Sequence, residues 1–224
     1  MTNRSKLING DAIPIKDKEY KGIYGSYSIT KLDRLEVKLY RFSLLLCGAS
    51  FSIGLLQWFL LGTNYAWIWL LLMIAGLGLA LNWIHIYIRS IHKFLQLSWA
   101  AGCIGIGILI FQIGIENLLS NFASQPTSIV FAGPIFASLT GVGFKEFFCF
   151  RRPEAIGLTL ILPISLVGYL SHVINQTYLM SLLLISSVLL LVLALRKFGT
   201  DPSLDIGDKS IFEFLASGQD IKTM

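Results

Sequence analysis

Six uncharged apolar runs set the pattern of the chain: residues 42–61, 65–88, 94–115, 128–144, 155–174 and 178–195 contain no Asp, Glu, Lys or Arg. Crossing the hydrocarbon core of a bilayer takes about 17–25 mostly apolar helical residues, and every run meets that length. The fourth is the shortest and is read as extending through Phe147, Phe148 and Phe150, with Lys145 and Glu146 at the interface. The pattern predicts an all-α membrane protein, a six-helix transmembrane bundle over residues 42–198. Poorly charged turns at 62–64, 116–127 and 175–177 pair the spans into three hairpins. Small residues foreshadow helix contacts: Ser98, Ala101 and Gly105 share one face, Gly102 lies one turn from Ser98, and Gly76 and Ala80 are four apart. Such spacing lets backbones approach closely in lipid. Pro134 and Pro163 fall inside spans and are expected to kink them.

The flanking segments carry their own periodicity. Thr30 and Asp33 have N-cap and N3 spacing, and Leu32, Leu35, Leu39 and Phe42 follow among Lys31, Arg34, Lys38 and Arg41. This predicts an N-terminal interfacial amphipathic helix over about residues 30–41, within a cytoplasmic segment 1–41. In the cytoplasmic tail, 199–224, Ser210 and Glu213 read as a capping box for a short helix over about 210–217. Gly218 is its stop, and 199–207 forms a loose linker before it. The first 41 residues lack the apolar core of a secretory signal and hold five acids (Asp11, Asp17, Glu19, Asp33, Glu36). The first span is therefore expected to serve as its own insertion signal.

Charge supplies the orientation. Of the 18 Lys and Arg residues, nine lie in the N-terminal segment, two in the second loop (Arg89, Lys93), three in the fourth (Lys145, Arg151, Arg152) and four in the tail. The other three loops hold none, and positive charge stays cytoplasmic during insertion, so both termini are expected inside. Aromatic belts agree, with Trp58, Tyr65, Trp67, Trp69, Tyr169 and Tyr178 toward one face and Tyr40, Trp83, Tyr87 and Trp99 toward the other. Composition excludes an ordinary soluble domain: 54% of residues are hydrophobic and 14% charged. Mean hydropathy is +0.69. The net charge of +5 follows from orientation, so no nucleic-acid partner is inferred. Cys47, Cys103 and Cys149 are widely spaced in apolar surroundings and read as buried thiols.

Two groups of residues carry candidate chemistry. Asn82, His85, Arg89 and His92 fall at i, i+3, i+7 and i+10, one polar stripe if the second span stays helical. His85 and His92 would lie about 10 Å apart along the axis, too far to share one metal ion. His172 sits at the opposite face. The stripe is read as structural, meeting other helices or headgroups, over the alternative of a haem or chlorophyll ligand. Asp33, Arg34 and Glu36, together with Lys145, Glu146, Arg151, Arg152 and Glu154, form a mixed-sign cytoplasmic set beside Phe147, Phe148 and Phe150. Its two readings are a positive-inside anchor and an interaction surface. Glu116 is the one acid among the external loops and sits in headgroups. The chain has no HExxH, no paired acids within a span, no Gly-x-Ser-x-Gly elbow and no P-loop, so no catalytic residue, cofactor or metal is expected.

Two stretches resemble a known family: Gly22-Ile-Tyr-Gly-Ser-Tyr-Ser-Ile-Thr30 through Asp33-Arg-Leu-Glu36 and Tyr40-Arg41, and Gly133-Pro-Ile-Phe-Ala-Ser-Leu-Thr-Gly-Val-Gly-Phe-Lys-Glu-Phe-Phe-Cys-Phe-Arg151 through Glu154-Ala155. Together they look like an uncharacterised integral membrane family of oxygenic phototrophs, of cyanobacterial and plastid type. The resemblance extends over most of the chain beyond Gly22 and implies a bacterial plasma or thylakoid membrane. It brings no activity and no site residues. Three function classes then rank in order. The first is a non-enzymatic protein that contacts membrane lipid and binds, or helps assemble, another integral membrane complex, plausibly photosynthetic. Next come a small-solute transporter or channel, with Gln57, Asn82 and Gln112 lining a path, and an intramembrane enzyme. Reporters fused after Asn64, Ser124 or Gln176 should be external and those after Lys93, Arg152 or the C-terminus internal; one inverted position overturns the six-span topology.

Overall fold

A computed structural model describes residues 19–86, 88–211 and 214. A strand pair, β1 (Glu19–Lys21) and β2 (Ser26–Ser28), precedes the helices. These are α1 (Lys31–Leu61), α2 (Ala66–Trp83), α3 (Arg89–Ile113), α4 (Leu118–Ser124), α5 (Ile129–Phe150), α6 (Pro153–Leu170), α7 (Gln176–Lys197) and α8 (Pro202–Ile206). Six of these helical stretches are long and apolar enough to cross a membrane, and the molecule is an all-α membrane bundle. Consecutive spans pair as α1–α2, α3–α5 and α6–α7. Further packing of α1 on α7, α6 on α5 and α2 on α3 joins the hairpins into the circuit α2–α1–α7–α6–α5–α3.

Small residues set the closest approaches. A Cβ on Gly76 of α2 would lie 2.7 Å from the Cys47 nitrogen of α1, and one on Gly105 of α3 only 2.5 Å from the Phe131 oxygen of α5. Ser98 and Ser138 both donate to the Pro134 carbonyl, at 3.1 and 3.2 Å, bracing the proline inside α5. Between α2 and α3, Trp99 donates its indole N–H to the Ile74 carbonyl at 2.9 Å. At the end away from the termini, α4 tucks Leu118, Leu119 and Phe122 into the bundle. The Tyr169 hydroxyl holds α4 there by donating to the Ala123 carbonyl at 2.7 Å.

The structure departs from the sequence expectations in four places, three of them in the flanks. The amphipathic stretch at 30–41 is continuous with the first span, a 31-residue helix capped by Thr30 and Asp33 in a reciprocal box. Its packed side carries Asp33, Val37, Tyr40 and Arg41, whereas the leucine side, Leu32 and Leu35, is exposed. Before it stands the strand pair, in register Tyr20 opposite Tyr27, where no strand was anticipated. The linker at 199–207 contains α8, because Asp201 caps it through the Ser203 N–H and Pro202 supplies its first turn. The stripe at Asn82–His92 is broken: α2 stops at Trp83, Ile84 is extended (ψ 130°), and α3 begins at Arg89. A 3.6-residue period drawn through that turn joins side chains on two different helices. The short tail helix at 210–217 falls mostly outside the described residues, as does Tyr87 of the aromatic belt.

Gly76→Val should lower the thermal midpoint in detergent, overpacking the α1–α2 contact by about 1–3 kcal/mol. Gly107→Ala, where an added methyl meets nothing within 4 Å, should leave that midpoint in place.

Candidate functional site

Helix ends deliver charged side chains to one place. α5 closes at Phe150, with Arg151 in the left-handed region (φ 50°) donating its N–H to the Phe147 carbonyl. Lys145 and Glu146 therefore occupy its last turns. Pro153 restarts the chain at once as α6, placing Glu154 in the first turn. α7 ends on Arg196 and Lys197, where cations complement the helix dipole. The turn into α8 brings Asp205 beneath them.

The core of the cluster is Lys197, whose side chain is 1% exposed. Its ammonium lies 2.6 Å from Glu146 Oε2 and 2.5 Å from Asp205 Oδ1. Glu146, fully buried, accepts the Tyr40 hydroxyl at 2.7 Å and Lys145 Nζ at 3.0 Å on its other oxygen. Asp205 receives Arg41 through Nε at 2.8 Å and Nη2 at 2.5 Å. The Phe150 ring packs against Lys197, with the ammonium 4.3 Å from its centre. Beside this, Arg196 grips both oxygens of Glu154 at 3.0 and 2.9 Å. The network thus joins α1, α5, α7 and α8, with α6 tied in through Arg196.

A second set of contacts ties the two flanks together. Asp33 accepts Lys209 Nζ at 2.8 Å. Asp208 accepts the Ile23 N–H at 2.7 Å, and Ser210 Oγ accepts the Tyr24 N–H at 3.1 Å. Gly22 is needed for this approach: a Cβ there would fall 2.2 Å from Asp208 Oδ1. Slight burial pushes the Asp208 carboxyl up, but hydrogen bonds from the Ser210 side chain and from the Ile23 and Ser210 N–H groups hold it below the ordinary carboxylate value. Its contribution to stability is present above the ordinary carboxylate pKa and is lost as pH falls through the lowered one.

Of the sequence candidates, Lys145, Glu146, Arg152 and Glu154 converge on this end of the bundle but point inward. Glu146, Arg152 and Glu154 are buried, because each acid is an internal counter-ion. Arg34 and Arg151 remain exposed and Glu36 half-exposed. Among the stripe residues, His85 lies 3.3 Å from Glu36 Oε2 and His92 Nε2 is 2.7 Å from the Leu81 carbonyl. Asn82 and Arg89 are exposed. Burial pushes the His85 pKa down, against the pull of Glu36, favouring the neutral ring at pH 7. Tyr40, Lys197, Asp205 and Asp208 lay outside the sequence candidates. The local signal for Asp205 was Asp201-Pro202, which marks a helix start. Elsewhere, a cavity of about 80 Å³ at the end away from the termini is lined by apolar groups, among them Phe51, Trp58, Trp69, Met73 and Met180.

Glu146→Gln should destabilise the protein by about 3–5 kcal/mol, because it leaves buried cations uncompensated. Adding Lys197→Met to that variant should recover part of the loss. Thermal unfolding of the two variants in detergent checks the coupling.

Comparison with known proteins adds three findings. Residues 79–214 match a family model described as an uncharacterized integral membrane protein, DUF2301. An uncharacterized protein of Haemophilus influenzae is 32% identical over 132 residues, which are 58% of this chain and 66% of that protein. No solved structure matches. The matched segment runs from the end of α2 through α8 and so includes the charged ends of α5, α6 and α7. The chain belongs to the DUF2301 family of integral membrane proteins.

Proposed function

We propose that this is a non-enzymatic membrane protein that binds another integral membrane complex or assists its assembly, seated with both termini on the cytoplasmic side. The observation that carries the reading is the division of labour at the charged end. Buried Arg41, Glu146, Lys197 and Asp205 are paired with one another, while the opposite side of α1 turns Leu32, Leu35 and Phe42 outward beside exposed Lys31, Arg34 and Lys38. An apolar stripe flanked by bases at the membrane surface suits a partner that is itself embedded. Directly behind the charged end, the bundle interior is filled by Leu44, Leu139, Leu158, Leu190 and Leu193, all fully buried. That packing favours a scaffold over a solute path. A relative in Haemophilus influenzae favours a partner found widely in bacterial membranes over one confined to oxygenic phototrophs and their thylakoids.

The test is native electrophoresis of gently solubilised membranes carrying wild type or Leu32→Ser/Arg34→Gln/Leu35→Ser. Wild type should run in a larger assembly, and the variant should accumulate equally yet run alone. Identical migration of the two removes the proposal.

A further inference from the structure

The buried charges fail to balance at one point, the turn between α5 and α6. Both oxygens of Glu154 are occupied by Arg196. Arg152 comes no nearer than 4.0 Å to that carboxylate, although its side chain is only 9% exposed. Its Nη1 is buried without a hydrogen-bond partner among the described residues. A guanidinium keeps its proton and carries five N–H donors, so burial without an acceptor is costly. Two further cations share the Phe150 ring with Arg152: Arg152 lies 5.6 Å from its centre, Lys145 5.4 Å and Lys197 4.3 Å. Glu146 answers the two lysines, whereas among the described residues Arg152 has only the outer-range contact with Glu154, a carboxylate already held by Arg196. The N-terminus of α6, directly beyond, has no side-chain cap, and its positive pole is offset only by Glu154 in the first turn. Arg151, the neighbouring residue, is exposed.

We propose that this turn binds a phosphate group, with Arg152 as its principal donor and Arg151 flanking it from the exposed side. The planar fork of an arginine matches phosphate oxygens two at a time. The site lies just beyond the apolar part of α5, at the depth where lipid headgroups sit. The same chemistry is offered by an anionic phospholipid and by free inorganic phosphate, and the two sources differ in what they do to the purified protein.

The experiment follows thermal unfolding of delipidated protein in detergent. Phosphatidylglycerol, phosphatidylcholine and inorganic phosphate are added separately to wild type and to Arg152→Met. A midpoint raised by phosphatidylglycerol, and by neither of the others, identifies a lipid headgroup. A midpoint raised as strongly by inorganic phosphate identifies the free anion. In either case Arg152→Met should bind about tenfold more weakly or worse, as expected when a charge-assisted hydrogen bond is lost. Without ligand, Arg152→Met should unfold at or above the wild-type temperature, because it removes a buried charge that lacks a hydrogen-bond acceptor. Three results overturn the proposal: no response in wild type, an equal response in Arg152→Met, or unfolding of Arg152→Met well below wild type without ligand. The last would mean that Arg152 is satisfied within the fold.

Discussion

Lys197 ends α7 with its ammonium sealed between Glu146 of α5 and Asp205 of α8. An isolated ammonium in such a place would be driven to lose its proton or stay out, so the two carboxylates are a condition of the packing. Each carboxylate in turn has a second cation, Lys145 for Glu146 and Arg41 for Asp205. The chain of opposite charges therefore fixes how α1, α5, α7 and α8 meet. Buried pairs of this kind add little net stability over an apolar replacement, but they penalise every arrangement that separates them. At an end where helix contacts in lipid are otherwise set by shape alone, that penalty selects one arrangement of the ends.

The same constraint explains the flanking segments. With Asp205 drawn in by Arg41 and Lys197, α8 lies against α1, and Ile206 closes on Val37 and Ile29. The residues after α8 then meet the β1–β2 turn, where Asp208 and Ser210 receive the backbone of Ile23 and Tyr24. A Cβ at Gly22 would displace the Asp208 and Ser210 side chains from these contacts. The two flanks, joined by contacts 185 and 186 residues apart in sequence, become one small layer across the charged end of the bundle.

The spans were legible because their signal is local and strong: long uncharged runs, glycines at contact spacing such as Gly76 and Gly105, and the Thr30–Asp33 cap. The ionic cluster was only half legible. Lys145, Glu146, Arg152 and Glu154 stood out by crowding, yet their inward direction depends on partners such as Tyr40 and Lys197, 106 and 51 residues away from Glu146. The partner of Arg41 lies 164 residues away, and no local pattern announces it. Leu32 and Leu35 were read as an interfacial face, and they are exposed, but the side that packs against the bundle was not foreseen. The packed side is the one that brings Tyr40 and Arg41 to their carboxylates. At Asn82–His92 the periodicity was real in the sequence but ran across a helix end, which a repeat of residue types does not reveal.

Insertion reads bases and largely ignores acids, so a base near a helix end serves orientation whether or not it is later paired. The acids are free to serve the fold. Glu146, Glu154 and Asp205 do so by becoming internal counter-ions, which accounts for the mixed signs that a membrane anchor alone would not need. Removing the bases they engage leaves a mainly basic surface: Lys31, Arg34, Lys38, Arg89, Lys93 and Arg151 are exposed, against the exposed acids Glu19 and Asp201. In the proposed role, such a surface would face anionic headgroups when the protein is alone and acidic loops when a partner is bound. The two occupants compete for the same charges, so partner binding at this end should grow weaker as salt or anionic lipid increases.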